Sequence, residues 1–177
     1  MTYTKEQLIE DGDLDELKSL LESGETRLAH QDYNLFNVEK TYVDVEHWKC
    51  RALQNIHKAA PDMQVVGHYF VKYSEGSFCR IHTDNSEIIT KTIITFISSE
   101  NLVGGDTLVF DKYEQKSRPV THYAKRVEDQ APVGEDIIPV TVHARDGESL
   151  IYDPVVLHGV TQVHAGERIV LVSWYKK

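Results

Sequence analysis

The sequence predicts a mainly-β fold, a sandwich or jelly roll, with α-helices flanking it at the N-terminal side. Two observations carry this reading. After Pro61 the chain turns into short segments rich in β-branched and aromatic residues, each bounded by Gly, Pro, Asp or Asn. No helical pattern separates them, which argues against a parallel α/β sheet and for a sandwich or jelly roll. The 177 residues are enough for one domain with a real core and short of two.

Taken in order, residues 4–23 read as an amphipathic helix. Leu8, Leu14, Leu17, Leu20 and Leu21 fall near helical spacing, and Gly24 stops the pattern. A second helix is expected from Val45 to Ala60, ended by Pro61. The predicted strands are "QVVGHYFVKY", "SFCRIHTD", "TKTIITFIS", "DTLVF", "IIPVTVHA", "ESLIYD" and "RIVLVSWY". Residues 1–62 thus read as helical support for a jelly-roll core over 63–177. The irregular piece at about 111–136 is too long for a hairpin connection and reads as an insert, either a lid or substrate loop or a solvated excursion.

Composition narrows the function classes. A formal net charge of −9 argues against a nucleic-acid or anionic-membrane binder. Residues 1–25 carry eight acids against two Lys, whereas 111–126 carry five Lys or Arg against two acids. The first 19 residues lack the apolar run of a leader and nothing approaches a membrane-spanning length, so a cytoplasmic location is expected. Cys50 and Cys79 make neither a disulfide framework nor a zinc site by spacing.

The chemistry concentrates in "CRIHTDNSE", residues 79–87. Strand alternation puts Phe78, Arg80, His82 and Asp84 on one face, with Cys79 pointing away. Two His and one carboxylate on one face of an iron form the facial arrangement of non-haem Fe(II) oxygenases, and His-x-Asp supplies two of the three. The second imidazole must come from a distant strand, and His122, His143, His158 and His164 are all open. Arg80, on the same face, should reach the cavity mouth, where a guanidinium needs an anion from the protein or from a substrate.

Three stretches, "YSEGSFCRIHTDN", "GGDTLVF" and "LHGVTQVHAGERIVLVSWY", resemble the 2-oxoglutarate/Fe(II)-dependent dioxygenases of the prolyl 4-hydroxylase-like branch, in that family's order. The resemblance runs from about Val65 to Tyr175 and implies a double-stranded β-helix. In the family a cation follows the distal His by about ten residues. His158 has Arg168 there, whereas His143, His164 and His122 have Asp153, Trp174 and Pro132. The resemblance therefore implies that His82, Asp84 and His158 ligate Fe(II) and that Arg168 clamps the remote carboxylate of 2-oxoglutarate. Tyr73 matches a tyrosine lining the cosubstrate pocket. A second family tyrosine falls on Phe96, so Thr92 or Thr95 is expected to supply a hydroxyl instead. "GGDT" is expected to shape a turn and not to touch substrate.

The implied activity is a hydroxylase that consumes 2-oxoglutarate and O2, releases succinate and CO2, and has ascorbate to keep the iron reduced. Asp84 separates it from related halogenases, which lack this carboxylate. A prolyl or other residue of a protein, a peptide and a free amino acid are all open as substrates. Two rivals are a non-catalytic jelly-roll binding module and a cupin-like metalloenzyme without 2-oxoglutarate, and Arg168 at its spacing speaks against both.

Overall fold

The computed structural model describes residues 3–28, 34–114 and 139–177. In chain order the elements are β1 (Tyr3–Glu6), α1 (Asp13–Ser23), β2 (Glu25–Leu28), β3 (Leu35–Tyr42), a 3-10 turn (Val45–His47), α2 (Arg51–His57) and β4 (Gln64–His82). There follow β5 (Lys91–Ser98), β6 (Val103–Gly104), β7 (Thr107–Glu114), β8 (Pro139–Val142), β9 (Ser149–Tyr152), β10 (Val156–Val160), β11 (Val163–Ala165) and β12 (Arg168–Lys176).

Ten strands join in one antiparallel sheet with the order β1-β9-β5-β12-β4-β10-β7-β8, while β3 runs along β4 and carries β2 outside it. Strands β6 and β11 form a separate two-stranded ribbon. The first part of β4 pairs with β12, from Gln64 to Tyr73. Its last part pairs with β10 instead, at Cys79 and His82. One strand of 19 residues thereby carries the sheet from one layer to the next, and the curl encloses a cavity. This is the jelly-roll architecture the strand pattern predicts.

Period-2 alternation explains how the two faces divide. On β12, Arg168, Val170, Val172 and Trp174 line the cavity, while Leu171 and Tyr175 face the other way. Outside, Leu17 of α1 and Ala52, Leu53 and Ile56 of α2 bury against Phe70, Ile93, Ile97, Ile151, Leu171 and Tyr175. Strand β5 is apolar on both faces because helices cover one and the cavity lies beneath the other. The helices are also tied to each other by a carboxylate. Asp13 is fully buried, accepts from Arg51 Nε at 2.6 Å and from Asn55 Nδ2 at 2.8 Å, and receives the Glu10 N–H at 2.8 Å. Burial opposes its charge, yet these donors hold its pKa below the usual value.

Three expectations change here. Residues 4–6 are not helical: they lie in β1, which pairs with β9 at the sheet edge, and the helix starts only at Asp13. The stretch 45–60 is a 3-10 turn and a seven-residue α2, shorter than expected. Residues 1–62 are not purely helical support, since β1, β2 and β3 belong to the main sheet. Of the expected insert at 111–136, Asp111–Glu114 extend β7, and the rest lies outside the described residues. Among the described residues no helix is long and apolar enough to cross a membrane.

Candidate metal centre

His82 ends β4, and His158 sits directly across from it on β10. Asp84 follows His82 by two residues, its backbone N–H fixed to the Pro154 carbonyl at 2.9 Å. The three side chains converge. Asp84 Oδ1 lies 3.5 Å from His82 Nε2 and 3.7 Å from His158 Nε2, and the imidazole centroids are 4.3 Å apart.

Which ring nitrogen faces inward follows from the backbone. His82 Nδ1 lies 2.7 Å from the Arg80 carbonyl and His158 Nδ1 lies 2.9 Å from the Val156 carbonyl. A carbonyl can only accept, so each Nδ1 carries the proton and each Nε2 presents a lone pair. Asp84 is held the same way: Thr92 Oγ1 donates to its Oδ2 at 2.7 Å, leaving Oδ1 for the shared point. All three ligand atoms lie within 4.8 Å of one another, and their second contacts are of the kind that orient metal ligands. Two imidazoles and one carboxylate on one side of a site fit a divalent non-haem iron with open positions.

The electrostatics agree. Burial alone would raise the Asp84 pKa, but His158, His82 and the Thr92 hydroxyl outweigh it and keep the carboxylate ionised. Burial also opposes charge on both imidazoles. It prevails at His158, which with His82 beside it falls to about 4. At His82 the neighbouring Cys79 and Asp84 outweigh burial and raise the pKa.

The same cavity, about 260 Å³, contains Arg168. This guanidinium is 3% exposed and no carboxylate pairs with it among the described residues. Its NH2 group donates to Thr107 Oγ1 at 2.8 Å, whereas NH1 is buried without a partner. Tyr73 lies under it at 4.8 Å and Phe96 at 5.5 Å. Burial lowers its pKa, with Tyr73 acting in the other direction. A buried cation with one unsatisfied donor fits an incoming carboxylate.

The structure thus brings His82, Asp84, His158, Arg168, Tyr73 and Thr92 to one cavity. Two details differ from the sequence reading. The Thr92 hydroxyl holds Asp84, and Thr95 bonds Ser149 at 2.8 Å, so the hydroxyl on Arg168 comes from Thr107. Arg80 is not among the lining residues, and Cys79 is. The reason is a bulge: His158 and Val160, two apart on β10, face His82 and Cys79, three apart on β4. The extra residue inverts the alternation. Arg80 instead stacks over Phe78, 5.3 Å from its ring. Thr107 and Tyr152 are lining residues the sequence reading missed. Thr107 was hidden because "GGDT" reads as turn chemistry, and Tyr152 because a tyrosine in "LIYD" reads as core.

No protein-family profile and no curated protein matches the sequence. Solved structures do match. A 2OG-Fe(II) oxygenase family oxidoreductase of Burkholderia pseudomallei superposes with TM-score 0.69 at 13% identity, over 99% of this chain and 85% of that one. The fold is that of the 2OG-Fe(II) oxygenases. The same oxygenase fold appears in a Pseudomonas putida prolyl-4-hydroxylase, with TM-score 0.69 at 13% identity over 99% and 92% of the two chains. HygX of Streptomyces hygroscopicus, solved with nickel and 2-oxoglutarate bound, gives TM-score 0.70 at 13% identity over 98% and 82%.

Proposed function

We propose that this protein is an Fe(II)- and 2-oxoglutarate-dependent oxygenase that hydroxylates an unactivated C–H bond. One observation carries the reading: three oriented ligand atoms and a buried guanidinium without a protein anion share a single cavity. A cupin-like enzyme or a binding module that merely keeps a metal would have no use for the second feature. The oxygenase fold supports the same reading.

In this proposal His82 Nε2, Asp84 Oδ1 and His158 Nε2 hold the iron. Arg168, steadied by Thr107, receives the remote carboxylate of 2-oxoglutarate, with Tyr73 lining the same pocket. Thr92 holds Asp84 in the orientation that leaves Oδ1 free. Iron, 2-oxoglutarate and O2 together would supply the oxidant, one oxygen atom going to succinate and one to the substrate hydroxyl as CO2 leaves. The apolar walls, including Val71, Ile94, Leu150, Val170 and Val172, exclude water from that chemistry.

The test is succinate formation from 2-oxoglutarate with and without Fe(II), run beside calorimetric binding of 2-oxoglutarate to the Mn(II)-loaded protein. Iron-dependent succinate, lost in His82→Ala, Asp84→Ala and His158→Ala but kept in His143→Ala and His164→Ala, is the expected result. Failure of 2-oxoglutarate to bind the metal-loaded protein would refute the proposal.

A further inference from the structure

Three aromatic rings run in contact from the cavity to the surface. Trp174 of β12 lines the cavity and is half-buried. Its ring meets that of Tyr69 on β4 edge-on, with centroids 5.1 Å apart, and Tyr69 meets Tyr42, the last residue of β3, at 5.8 Å. Tyr69 is 8% exposed, whereas Tyr42 is 46% exposed. Register explains the series. Tyr42 lies directly opposite Tyr69, and Tyr69 lies opposite Val172, which makes Trp174 its diagonal neighbour on the same face. At the inner end, Trp174 lies opposite Thr92, whose hydroxyl holds Asp84.

Indole and phenol rings give up one electron far more readily than aliphatic or Phe side chains. An oxidant made in the cavity without a substrate C–H in reach therefore has such rings as its nearest electron donors. The Nε1–H of Trp174 is buried without a partner among the described residues. An oxidised Trp174 has no acceptor there for that proton, so it stays a strongly oxidising cation and takes an electron from the adjoining phenol. An oxidised phenol must shed its proton, and half-exposed Tyr42 can give it to water. The other tyrosines of the cavity lack these features. Tyr73 has the Arg168 guanidinium 4.8 Å from its ring, which disfavours a positive charge on it, and Tyr152 meets His158 at 4.7 Å and so leads back to the metal ligands.

Building on the oxygenase reading, we infer that Trp174, Tyr69 and Tyr42 carry oxidising equivalents unspent on substrate out to the surface, where a small one-electron reductant of the ascorbate class discharges them. In each event one electron passes from Trp174 to the oxidised centre, one from Tyr69 to Trp174 and one from Tyr42 to Tyr69. Tyr42 releases its proton to water, and the reductant then returns one electron and one proton to the tyrosyl radical. Two events, with two protons from solvent, restore Fe(II) and release the unspent oxygen atom as water. One 2-oxoglutarate, one O2 and two hydrogen atoms from the reductant thus give succinate, CO2 and water.

The experiment reads the side chains themselves. Fe(II)-loaded protein is given 2-oxoglutarate and O2 with a nitroso spin trap, without substrate or reductant, and the adducts are mapped by peptide mass spectrometry. Tyr42 should carry the adduct, and ascorbate, or omission of 2-oxoglutarate, should abolish it. Trp174→Phe and Tyr69→Phe should each cut labelling of Tyr42 several-fold while Tyr42 itself is unaltered. Binding of 2-oxoglutarate to the Mn(II)-loaded variants, at the parent's affinity, should show the cavity intact. Tyr69→Phe removes only a hydroxyl and keeps the experiment decisive if Trp174→Phe disturbs the cavity. Unchanged labelling of Tyr42 in either intact variant would mean that the oxidant arrives through solvent and would overturn the inference. So would adducts confined to Tyr152. If 2-oxoglutarate is consumed and no tyrosine is labelled, only this inference falls. If 2-oxoglutarate is not consumed at all, the oxygenase reading falls and the inference with it.

Discussion

At the scale of single residues, the proposed centre depends on contacts one step behind the ligands. Thr92 does not reach the shared ligand point but donates to Asp84 Oδ2. Thr92→Val keeps the shape and removes the donor, so metal affinity should fall about 10- to 100-fold, the usual cost of losing such a contact. Competition against a fluorescent chelator would measure it, and an unchanged affinity would mean that Asp84 needs no such support. Arg168→Ala should weaken 2-oxoglutarate by about 2–4 kcal/mol, or about 30- to 1000-fold. Arg168→Lys should lose less, since it keeps the charge but not the planar fork. Affinity equal to the parent's in Arg168→Ala would remove the guanidinium from the site. These residues differ in how far the sequence announced them. His82 and Asp84 were legible because period-2 spacing puts them on one face by itself. His158 and Arg168 were picked out by a family spacing, since nothing local distinguishes His158 from His164. Thr107 and Tyr152 were not legible, because a hydroxyl acquires meaning only when a distant strand delivers a cation or an imidazole to it.

At the scale of elements, alternation was legible where strands are regular and misleading where they are not. Strand β5 delivers Thr92 and Ile94 inward as a period of two requires. Strand β4 does not, because the bulge between Cys79 and His82 exchanges the faces of Cys79 and Arg80. Strand β1 escaped because "YTKE" is an edge segment with an exposed, polar pattern and Leu8 follows at helical spacing. Strand β3 escaped because Lys40 is buried over the Tyr69 ring, at 4.7 Å, where the pattern should show an apolar residue. Turns were read better. Gly104 adopts φ +74°, and a Cβ there would collide with the Gln162 carbonyl as β6 meets β11. Gly104→Ala should therefore destabilise the protein by more than about 1 kcal/mol, from the left-handed backbone and the backbone contact together. The midpoint of urea unfolding reads this out, and an unshifted midpoint would mean that the ribbon contributes nothing to stability.

At the scale of the molecule, the sheet must bury an apolar face on each side, and the outer one is sealed by the helices and the 3-10 turn. His68 is a buried polar residue within that seal. It is 2% exposed, with Nδ1 2.8 Å from Ser173 Oγ and its ring edge-on to Trp48 and to Tyr175. Burial, with His57 of α2 as a second cause, pushes its pKa down to about 4. An unfolded chain would bind the proton near the ordinary value of about 6.5. Above that pH both states are neutral at this residue and it contributes no slope. Below it the unfolded state takes up a proton that the folded state refuses, so stability falls as pH drops from about 6.5 to about 4 and the loss then levels off. The gap corresponds to up to about 3 kcal/mol. His158, also pushed down to about 4 by burial, titrates in the same window, so the difference between the parent and His68→Gln isolates this residue. Urea unfolding at pH 8, 6 and 4.5 should show the parent losing more stability than His68→Gln as pH falls, with the variant already weaker at pH 8 for want of the buried imidazole. Parallel losses in the two proteins would mean that His68 charges without cost, and that the seal between helices and sheet opens to water at that point.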